Sequence, residues 1–222
     1  MLSCGNVGKT YATERGDIVA VKGIDLTVPR GQFAAIVGRS GSGKSSLMAM
    51  IGGLSRPTHG AVMVENTDIW ALPDDALAEF RNRRIGFVFQ FASLLPALRI
   101  IDNVALPALL GRRADANAAY ERSAELLAGL GLAEHIDAYP PEISAGEQRR
   151  VVIARALING PALLLADEPT ADLDEQTEME IMDRFRDLNR DRDMTLLVVT
   201  HNLRLAERAD RIFHIANGGL VA

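Results

Sequence analysis

The chain has 222 residues, with 24 Lys and Arg residues against 29 Asp and Glu residues and a formal net charge of −5. This length suits one α/β domain with an inserted subdomain, and a hydrophobic content of 48% is enough for a sizeable core. No dense basic run is present in the sequence, so nucleic acid is not expected as a partner. The single cysteine, Cys4, cannot form an internal disulfide, which fits a reducing compartment.

The first part of the chain predicts strands and turns. Apolar residues alternate between Val19 and Val28, which is typical of an antiparallel strand with one buried face. Short apolar runs at residues 33–37 and 61–64 also predict strands. The pattern becomes helical from Pro73, and a further strand is expected at residues 85–89.

The second part predicts helices between strands of a parallel sheet. Residues 90–143 carry few strand signals and read as a helical insertion. Buried strands are expected at residues 162–166, 195–199 and 212–215, followed by a hairpin turn at residues 217–219. Strands that alternate with helices predict an α/β fold with right-handed crossovers. Charge-free runs are shorter than the roughly 18 residues of a membrane span, so a partner would have to supply any span.

The most informative motif lies at residues 38–45, which read G-R-S-G-S-G-K-S and directly follow the expected strand at residues 33–37. A strand followed by G-x-x-x-x-G-K-S is the phosphate-binding loop of nucleoside triphosphatases. Its glycines let successive backbone N–H groups turn toward phosphate oxygens, and a helix N-terminus follows. Lys44 is expected to reach the β- and γ-phosphates, and the Ser45 hydroxyl is expected to bind Mg²⁺. The expected nucleotide-binding residues of this loop are Gly38, Arg39, Ser40, Gly41, Ser42, Gly43, Lys44, Ser45 and Ser46.

A second motif is the pair of carboxylates, Asp167 and Glu168, that ends the expected strand at residues 162–166. Because ligands of parallel sheets bind at the carboxyl ends of the strands, this pair should lie beside the phosphate loop. Asp167 is expected to hold Mg²⁺ directly or through water, and Glu168 to polarise an attacking water. The alternative interpretation is an acidic turn without a function.

Residues 143–150 read I-S-A-G-E-Q-R-R and resemble the L-S-G-G-Q signature of ATP-binding-cassette (ABC) ATPases. The other marks of that family follow in order. Gln90 matches the Q-loop glutamine, residues 171–174 match the D-loop, His201 matches the switch histidine, and Tyr11 matches the aromatic residue that stacks on adenine. The resemblance covers essentially the whole chain.

The resemblance implies an α/β fold with a P-loop core of mainly parallel strands, an N-terminal antiparallel β subdomain and an inserted α-helical subdomain. It implies one domain over residues 1–222, with a catalytic core of about residues 1–89 and 160–222. The helical subdomain would then cover about residues 90–159.

The resemblance also implies a mechanism that uses ATP and Mg²⁺. Glu168 acts as general base, His201 hydrogen-bonds the γ-phosphate and the attacking water, and Gln90 senses Mg²⁺ and the γ-phosphate. Two chains meet head to tail, so that Ser144 and Gly146 touch the γ-phosphate that the partner holds.

Two residues depart from the signature. Ala145 replaces its first glycine, and would cost about 1 kcal/mol if that position required a positive φ. Glu147 replaces its glutamine.

Residues 86–90, 103–107 and 165–174 resemble the ATPases of lipoprotein-releasing, macrolide-exporting and cell-division complexes. This branch implies an ATP-hydrolysing subunit that drives a separate integral membrane permease, and that lies peripherally at the cytoplasmic face of the membrane. A second nucleotide-binding subunit, expected to be another copy of the chain, completes the complex.

An ATPase of an amino-acid or small-solute importer is the alternative. A DNA-repair or translation cassette would need a long coiled coil or a second cassette, neither of which is visible. A scaffold without catalysis is disfavoured because Lys44, Asp167, Glu168 and His201 are all present. The sequence does not name the substrate.

The apolar segment at residues 91–98, directly after Gln90, is expected to contact the membrane subunit, because exposed apolar patches usually mark interfaces.

Overall fold

The computed structural model describes residues 1–14, 16–111, 115–171 and 173–221. The strands in these ranges are β1 (Leu2–Tyr11), β2 (Ile18–Val28), β3 (Phe33–Val37), β4 (His59–Val64), β5 (Thr67–Asp68), β6 (Ile85–Val88), β7 (Leu163–Asp167), β8 (Thr195–Thr200), β9 (Arg211–Ala216) and β10 (Gly219–Val221). The α-helices are α1 (Lys44–Ile51), α2 (Asp74–Arg84), α3 (Ile100–Leu109), α4 (Ala116–Gly129), α5 (Ala145–Leu157), α6 (Glu175–Arg192) and α7 (Leu203–Ala206).

The strands form two sheets. One is antiparallel, in the order β2-β1-β4-β5, and the other has the order β10-β9-β3-β8-β7-β6. In the second sheet β3 pairs in parallel with β8 and β9, and β7 pairs in parallel with β6 and β8. The predicted α/β fold with an antiparallel N-terminal part is confirmed, and three of the helices, α3 to α5, lie between β6 and β7 in the chain.

The register of the second sheet brings four strand ends to one edge. Val37 at the end of β3 pairs with Thr200 at the end of β8, and Asp167 at the end of β7 pairs with Val199. Val88 at the end of β6 pairs with Ala166. The loops after these four strands therefore leave the sheet side by side, as the carboxyl ends of parallel strands must.

Each central strand serves two cores, because successive side chains of a strand point to opposite faces. Ile36 and Leu165 face one core, which they share with α1 and the antiparallel sheet. Leu164 and Val198 face the other core, together with α5 residues such as Val152. Burial on both faces explains why these strands read as continuous apolar runs rather than alternating ones.

Most predicted strands are shifted by one or two residues at an end, and two of the differences change the description of a loop or turn. The strand predicted to reach residue 89 ends at Val88, where the chain turns into a loop. The predicted hairpin turn is formed by Asn217 and Gly218, whose φ values of 51° and 84° are the left-handed values of a tight turn. Gly219 already belongs to β10.

Within the four described stretches of chain, every helix is too short or too polar to cross a lipid bilayer.

Gly86 in β6 allows α5 to pack closely on the sheet. A β-carbon at Gly86 would lie 2.5 Å from the carbonyl oxygen of Ala156 and 2.9 Å from the Cδ1 atom of Leu164. The first contact is with backbone, which cannot turn aside as a flexible side chain can.

We therefore predict that Gly86→Ala lowers the free energy of unfolding by about 1–3 kcal/mol, the usual effect of overpacking. Gly129→Ala is the matched control, because a β-carbon there would meet no atom within 4 Å. Chemical denaturation of both variants checks this, and equal stability of the two would contradict it.

Candidate active site

The loop between β3 and α1 has the backbone shape that its glycines predict. Gly41 and Gly43 have φ values of 76° and 102°, which residues with a side chain rarely adopt. A β-carbon at Gly43 would clash with the carbonyl oxygen of Ala20, and one at Gly38 would clash with that of Ile215. A β-carbon at Gly41 would meet no atom within 4 Å. The loop is thus packed against β2 and β9 on one side and open on the other.

Lys44, the first residue of α1, is held inside this loop. Its side chain is only 7% exposed, and Nζ donates to the carbonyl oxygens of Gly38 at 2.7 Å and Arg39 at 3.1 Å. An ammonium group has three protons, so a third hydrogen bond is open to an anion at the loop. The start of α1 adds the positive end of a helix dipole at the same place.

A cavity of about 540 Å³ lies over the open side of the loop. Its lining joins loop residues 40–46 and Ala20 to three side chains from other strand ends. These are Gln90 after β6, Glu168 after β7 and His201 after β8. The structure thus brings together side chains that are more than 100 residues apart in the sequence.

Glu168 and His201 form a hydrogen-bonded pair at the edge of this cavity. The Nδ1 atom of His201 lies 3.0 Å from Oε2 of Glu168, and the backbone N–H of His201 donates to the same oxygen at 3.3 Å. The Glu168 side chain is 13% exposed and the His201 side chain 70%. Glu168 also has a φ of 45°, a left-handed value that is uncommon for a residue with a side chain and typical of functional positions.

Asp167 presents a carboxylate oxygen that lacks a partner. Its Oδ1 atom is buried and has no hydrogen bond to any described residue, whereas the Ser45 hydroxyl hydrogen-bonds the carboxyl group. Burial raises the pKa of Asp167, the charge of Glu168 adds to that rise, and the Ser45 hydrogen bond and the charge of Lys44 oppose it. A carboxylate and a hydroxyl side by side are the oxygen ligands that Mg²⁺ prefers, so the site fits this ion.

The loop that carries Gln90 is fixed by two arginines of α5. Arg149 donates to the carbonyl oxygens of Phe89 at 2.8 Å and Gln90 at 2.7 Å. Arg155 donates to the carbonyl oxygens of Ser93 at 2.9 Å and Ala92 at 3.3 Å. Sequence reasoning missed both arginines. The available signal was their place beside a buried apolar run, because a buried guanidinium needs partners.

Ser144 is the N-cap of α5, and its Oγ atom accepts a hydrogen bond from the backbone N–H of Glu147 at 3.3 Å. Ala145 is the first residue of the helix and has no positive φ, so the strain considered for this substitution does not arise. A β-carbon at Gly146 would lie 3.0 Å from the Cγ2 atom of Thr177. Ser144 and Gly146 do not line the cavity over the phosphate loop.

Tyr11 lies at the end of β1, beside the start of α1. Its hydroxyl group is 3.4 Å from Oγ of Ser46, its ring is 39% exposed, and Nζ of Lys9 lies 5.1 Å from the ring centroid. The ring is outside the lining of the cavity but next to the residue that ends the phosphate loop.

The expected D-loop, residues 171–174, is described only in part, because Asp172 lies outside the described residues. The backbone N–H of Ala171 donates to the carbonyl oxygen of Glu168 at 3.1 Å. Asp174 is the N-cap of α6 and accepts a hydrogen bond from the backbone N–H of Thr177 at 3.0 Å.

A phosphate loop between a parallel strand and a helix, with carboxylates at the end of a second parallel strand two positions away in the sheet, defines a nucleoside triphosphatase of the P-loop class. The family profile described as ABC transporter matches residues 21–171. The chain belongs to the ABC transporter family, and it binds and hydrolyses ATP with Mg²⁺.

Comparison with curated proteins and solved structures gives relatives along the full chain. The lipoprotein-releasing system ATP-binding protein LolD of Pseudomonas fluorescens is 41% identical over 222 residues, which cover 100% of this chain and 97% of that protein. The macrolide export ATP-binding/permease protein MacB of Syntrophobacter fumaroxidans is 43% identical over 220 residues, covering 98% of this chain and 31% of MacB. The dimeric, post-hydrolysis structure of the ATP-binding cassette MJ0796 bound to ADP and Pi superposes with a TM-score of 0.92 at 38% identity, covering 100% of this chain and 97% of that one.

We predict that Asp167→Asn raises the melting temperature of the nucleotide-free protein by a few degrees, because it removes a half-buried charge beside Glu168. The same change should weaken the Mg²⁺-dependent part of ATP affinity, since an amide is a poorer ligand than a carboxylate. Asp137→Asn is the control, because this carboxylate is exposed and pairs with Arg99 on the surface. Thermal melts and ATP titrations with and without Mg²⁺ measure both effects. A lower melting temperature for Asp167→Asn would contradict the prediction that the Asp167 carboxylate destabilises the nucleotide-free protein.

Proposed function

We propose that the chain works as an ATP-driven clamp, in which two copies close head to tail around two nucleotides and thereby move a separate membrane subunit. The observation that carries the proposal is the separation of the site into two parts. The cavity holds the phosphate loop, Gln90, Glu168 and His201, whereas Ser144 is exposed at the start of α5 and lines no part of that cavity. A second copy would supply Ser144 to each nucleotide. The dimeric structures of MJ0796 support this arrangement.

Nucleotide binding uses the open side of the phosphate loop. The backbone N–H groups of residues 38–46 receive the phosphates, and Lys44 adds a hydrogen bond to the β- and γ-phosphates. The exposed ring of Tyr11 receives the adenine, a stacking contact worth about 1–3 kcal/mol by analogy with base stacking. Ser45, Asp167 and Gln90 would hold Mg²⁺, which neutralises charge on the phosphate oxygens.

Hydrolysis is an in-line attack of water on the γ-phosphorus. Glu168 accepts the proton of that water as the new phosphorus–oxygen bond forms and the bond to the ADP oxygen breaks, a general-base contribution of about 10²–10⁴-fold. His201 donates through Nδ1 to Glu168, since an ionised carboxylate only accepts. In the imidazolium form, in which both ring nitrogens carry protons, the other ring nitrogen would donate to the γ-phosphate. Two hydrogen bonds and the left-handed backbone of Glu168 keep the base in place.

The division of the chain supports a moving part. The catalytic core would comprise about residues 1–89 and 160–222, and the helical subdomain about residues 90–159. Gln90 lies at the junction, and Arg149 ties its carbonyl group to α5 at 2.7 Å. A shift of Gln90 toward bound nucleotide would therefore be passed to α5 as a rigid-body movement.

An apolar surface next to this junction is the proposed docking site for the membrane subunit. A cavity of about 630 Å³, here called the docking cleft, is lined by residues of α2, α3, α5 and β6. Its exposed apolar residues are Leu54, Phe89 and Leu110, which are 46%, 39% and 75% exposed. Such a patch is typical of a protein–protein interface. Docking there would place the chain peripherally at the cytoplasmic face of the membrane.

The segment at residues 91–98 contributes less to this cleft than the sequence predicts. Only Ser93 of that segment lines the cleft. Ala92 and Leu94 pack on the core beneath it, while Phe91 remains 71% exposed. The proposed interface therefore centres on the cleft and has Phe91 at its border.

The names of the full-length relatives favour an export or mechanotransmission role over import. LolD belongs to a lipoprotein-releasing system, and MacB joins an ATP-binding part and a permease in one protein of macrolide export. By this likeness the membrane subunit of the present chain would perform conformational work on a substrate outside the cytoplasm.

We predict that Glu168→Gln keeps ATP affinity but lowers the ATPase rate at least about 100-fold, because an amide cannot take the proton of water. The same variant should be monomeric without nucleotide and dimeric with ATP, but not with ADP, since only the γ-phosphate reaches Ser144 of the second copy.

Turnover, nucleotide titration and sedimentation with each nucleotide measure these outcomes on one preparation. A near-normal rate would remove Glu168 as the base. An oligomeric state that does not change with ATP would contradict the clamp model.

We predict that Leu110→Glu weakens co-purification with the membrane subunit while ATP binding stays intact, because it puts a charge into the docking cleft. Leu98→Glu tests the segment after Gln90 in the same way. Val221→Glu is the control, as it changes an apolar side chain that is 49% exposed and outside the cleft. Normal capture of the membrane subunit by both leucine variants would place the docking surface elsewhere.

A further inference from the structure

The hydroxyl group of Ser144 is already engaged within its own chain. It donates to Oε2 of Glu147 at 2.7 Å, and the backbone N–H of Ser144 donates to the same oxygen at 2.8 Å. A serine hydroxyl has a single proton. While that proton is shared with Glu147, it is not offered to a second acceptor such as a phosphate.

Glu147 is held firmly in this role. Nε2 of His135 lies 3.3 Å from its other oxygen, Oε1, and the positive charge of Arg150 is also near. The hydrogen bonds from Ser144 hold the pKa of Glu147 below its usual range, with smaller contributions from His135 and Arg150. The carboxylate is therefore ionised at neutral pH, and its charge-assisted hydrogen bond is stronger than one between neutral groups.

We propose that Glu147 is a positioning residue that restrains Ser144 in the open state. The γ-phosphate held by the partner must then compete with Glu147 for the hydrogen bond of the serine hydroxyl before the two copies close. This inference rests on the proposed clamp, and it adds an interaction that opposes closure of the dimer. Glu147 also places a negative charge beside the point where the anionic γ-phosphate would arrive. Both effects weaken ATP-driven dimerisation and ease the reopening of the clamp once the γ-phosphate has left.

The test uses the full chain carrying Glu168→Gln, so that ATP is bound and not consumed. Adding Glu147→Gln should tighten ATP-dependent dimerisation about tenfold or more, because the neutral amide oxygen holds the hydroxyl less strongly. The amide still accepts from the backbone N–H of Ser144, so the start of α5 is kept. Glu142→Gln is the matched control. It removes the same charge five residues earlier, where the carboxylate accepts from the backbone N–H of Tyr139 and not from Ser144.

Ser144→Ala separates the restraint from a general effect of charge. If Glu147 acts through the serine hydroxyl, Glu147→Gln tightens dimerisation much less in a Ser144→Ala background, where only the effect of the charge is left. A full effect in that background would overturn the positioning role. Glu147→Ala gives a second check, whose expected result holds even if this variant is less stable. It should also tighten dimerisation even though α5 loses part of its cap, whereas a purely structural Glu147 would make this variant dimerise less.

The outcomes also separate this inference from the clamp itself. Ser144→Ala alone must weaken ATP-dependent dimerisation, and if it does not, the contact across the interface fails and the restraint fails with it. If Ser144→Ala weakens dimerisation but Glu147→Gln leaves it unchanged or weaker, or Glu142→Gln matches Glu147→Gln, the clamp stands and the restraint is wrong.

Discussion

The parallel register of β3, β6, β7 and β8 is the constraint on which the active site depends. β3 and β8 end at paired residues, and β7 and β6 each end one residue before the neighbour on their β3 side, so the phosphate loop, the Gln90 loop, Glu168 and His201 leave the sheet at one edge. A shift of β7 by a single residue would turn the side chain of Asp167 to the other face of the sheet, because side chains alternate along a strand, and would displace Glu168, the next residue. Burial of these strands on both faces fixes the register, so the two cores are also what aligns the catalytic groups.

The helix α5, which Ser144 caps, joins three parts of the molecule that the sequence keeps far apart. Its first turn carries the residues proposed to meet the partner's nucleotide. Its second turn, through Arg149, holds the loop of Gln90, and further along Arg155 holds the next residues of that loop. One side of the docking cleft is formed by the same helix. The proposed nucleotide sensing, closure of the dimer and docking of a membrane subunit would therefore share one rigid element, which favours all-or-none movement over independent local changes.

Local patterns predicted most of the fold and most of the cavity. The apolar runs of β3, β7 and β8 and the glycines of the phosphate loop are signals that lie within a few residues of one another. The contacts missed were between distant segments. No local pattern says that Arg149 reaches the carbonyl groups of Phe89 and Gln90, because that pairing exists only after α5 has packed on β6. The proposed docking cleft has no local signal for the same reason, since its walls come from four separate elements. The strain predicted for Ala145 is absent, because this residue is helical and does not need the positive φ that glycine would allow.

The left-handed backbone of Glu168 lowers the stability of the fold at the residue that is proposed to act as the catalytic base. A residue with a side chain is held there at a conformational cost of about 1–3 kcal/mol, which the surrounding sheet has to offset. Glycine or asparagine would adopt this conformation more easily, so selection for heat resistance alone would favour replacing the proposed base. A heat-tolerant descendant of this chain that still turns over ATP would therefore have to gain its stability elsewhere. At position 168, a screen for stability alone would select substitutions that remove activity, and a screen for activity alone would keep the strained glutamate.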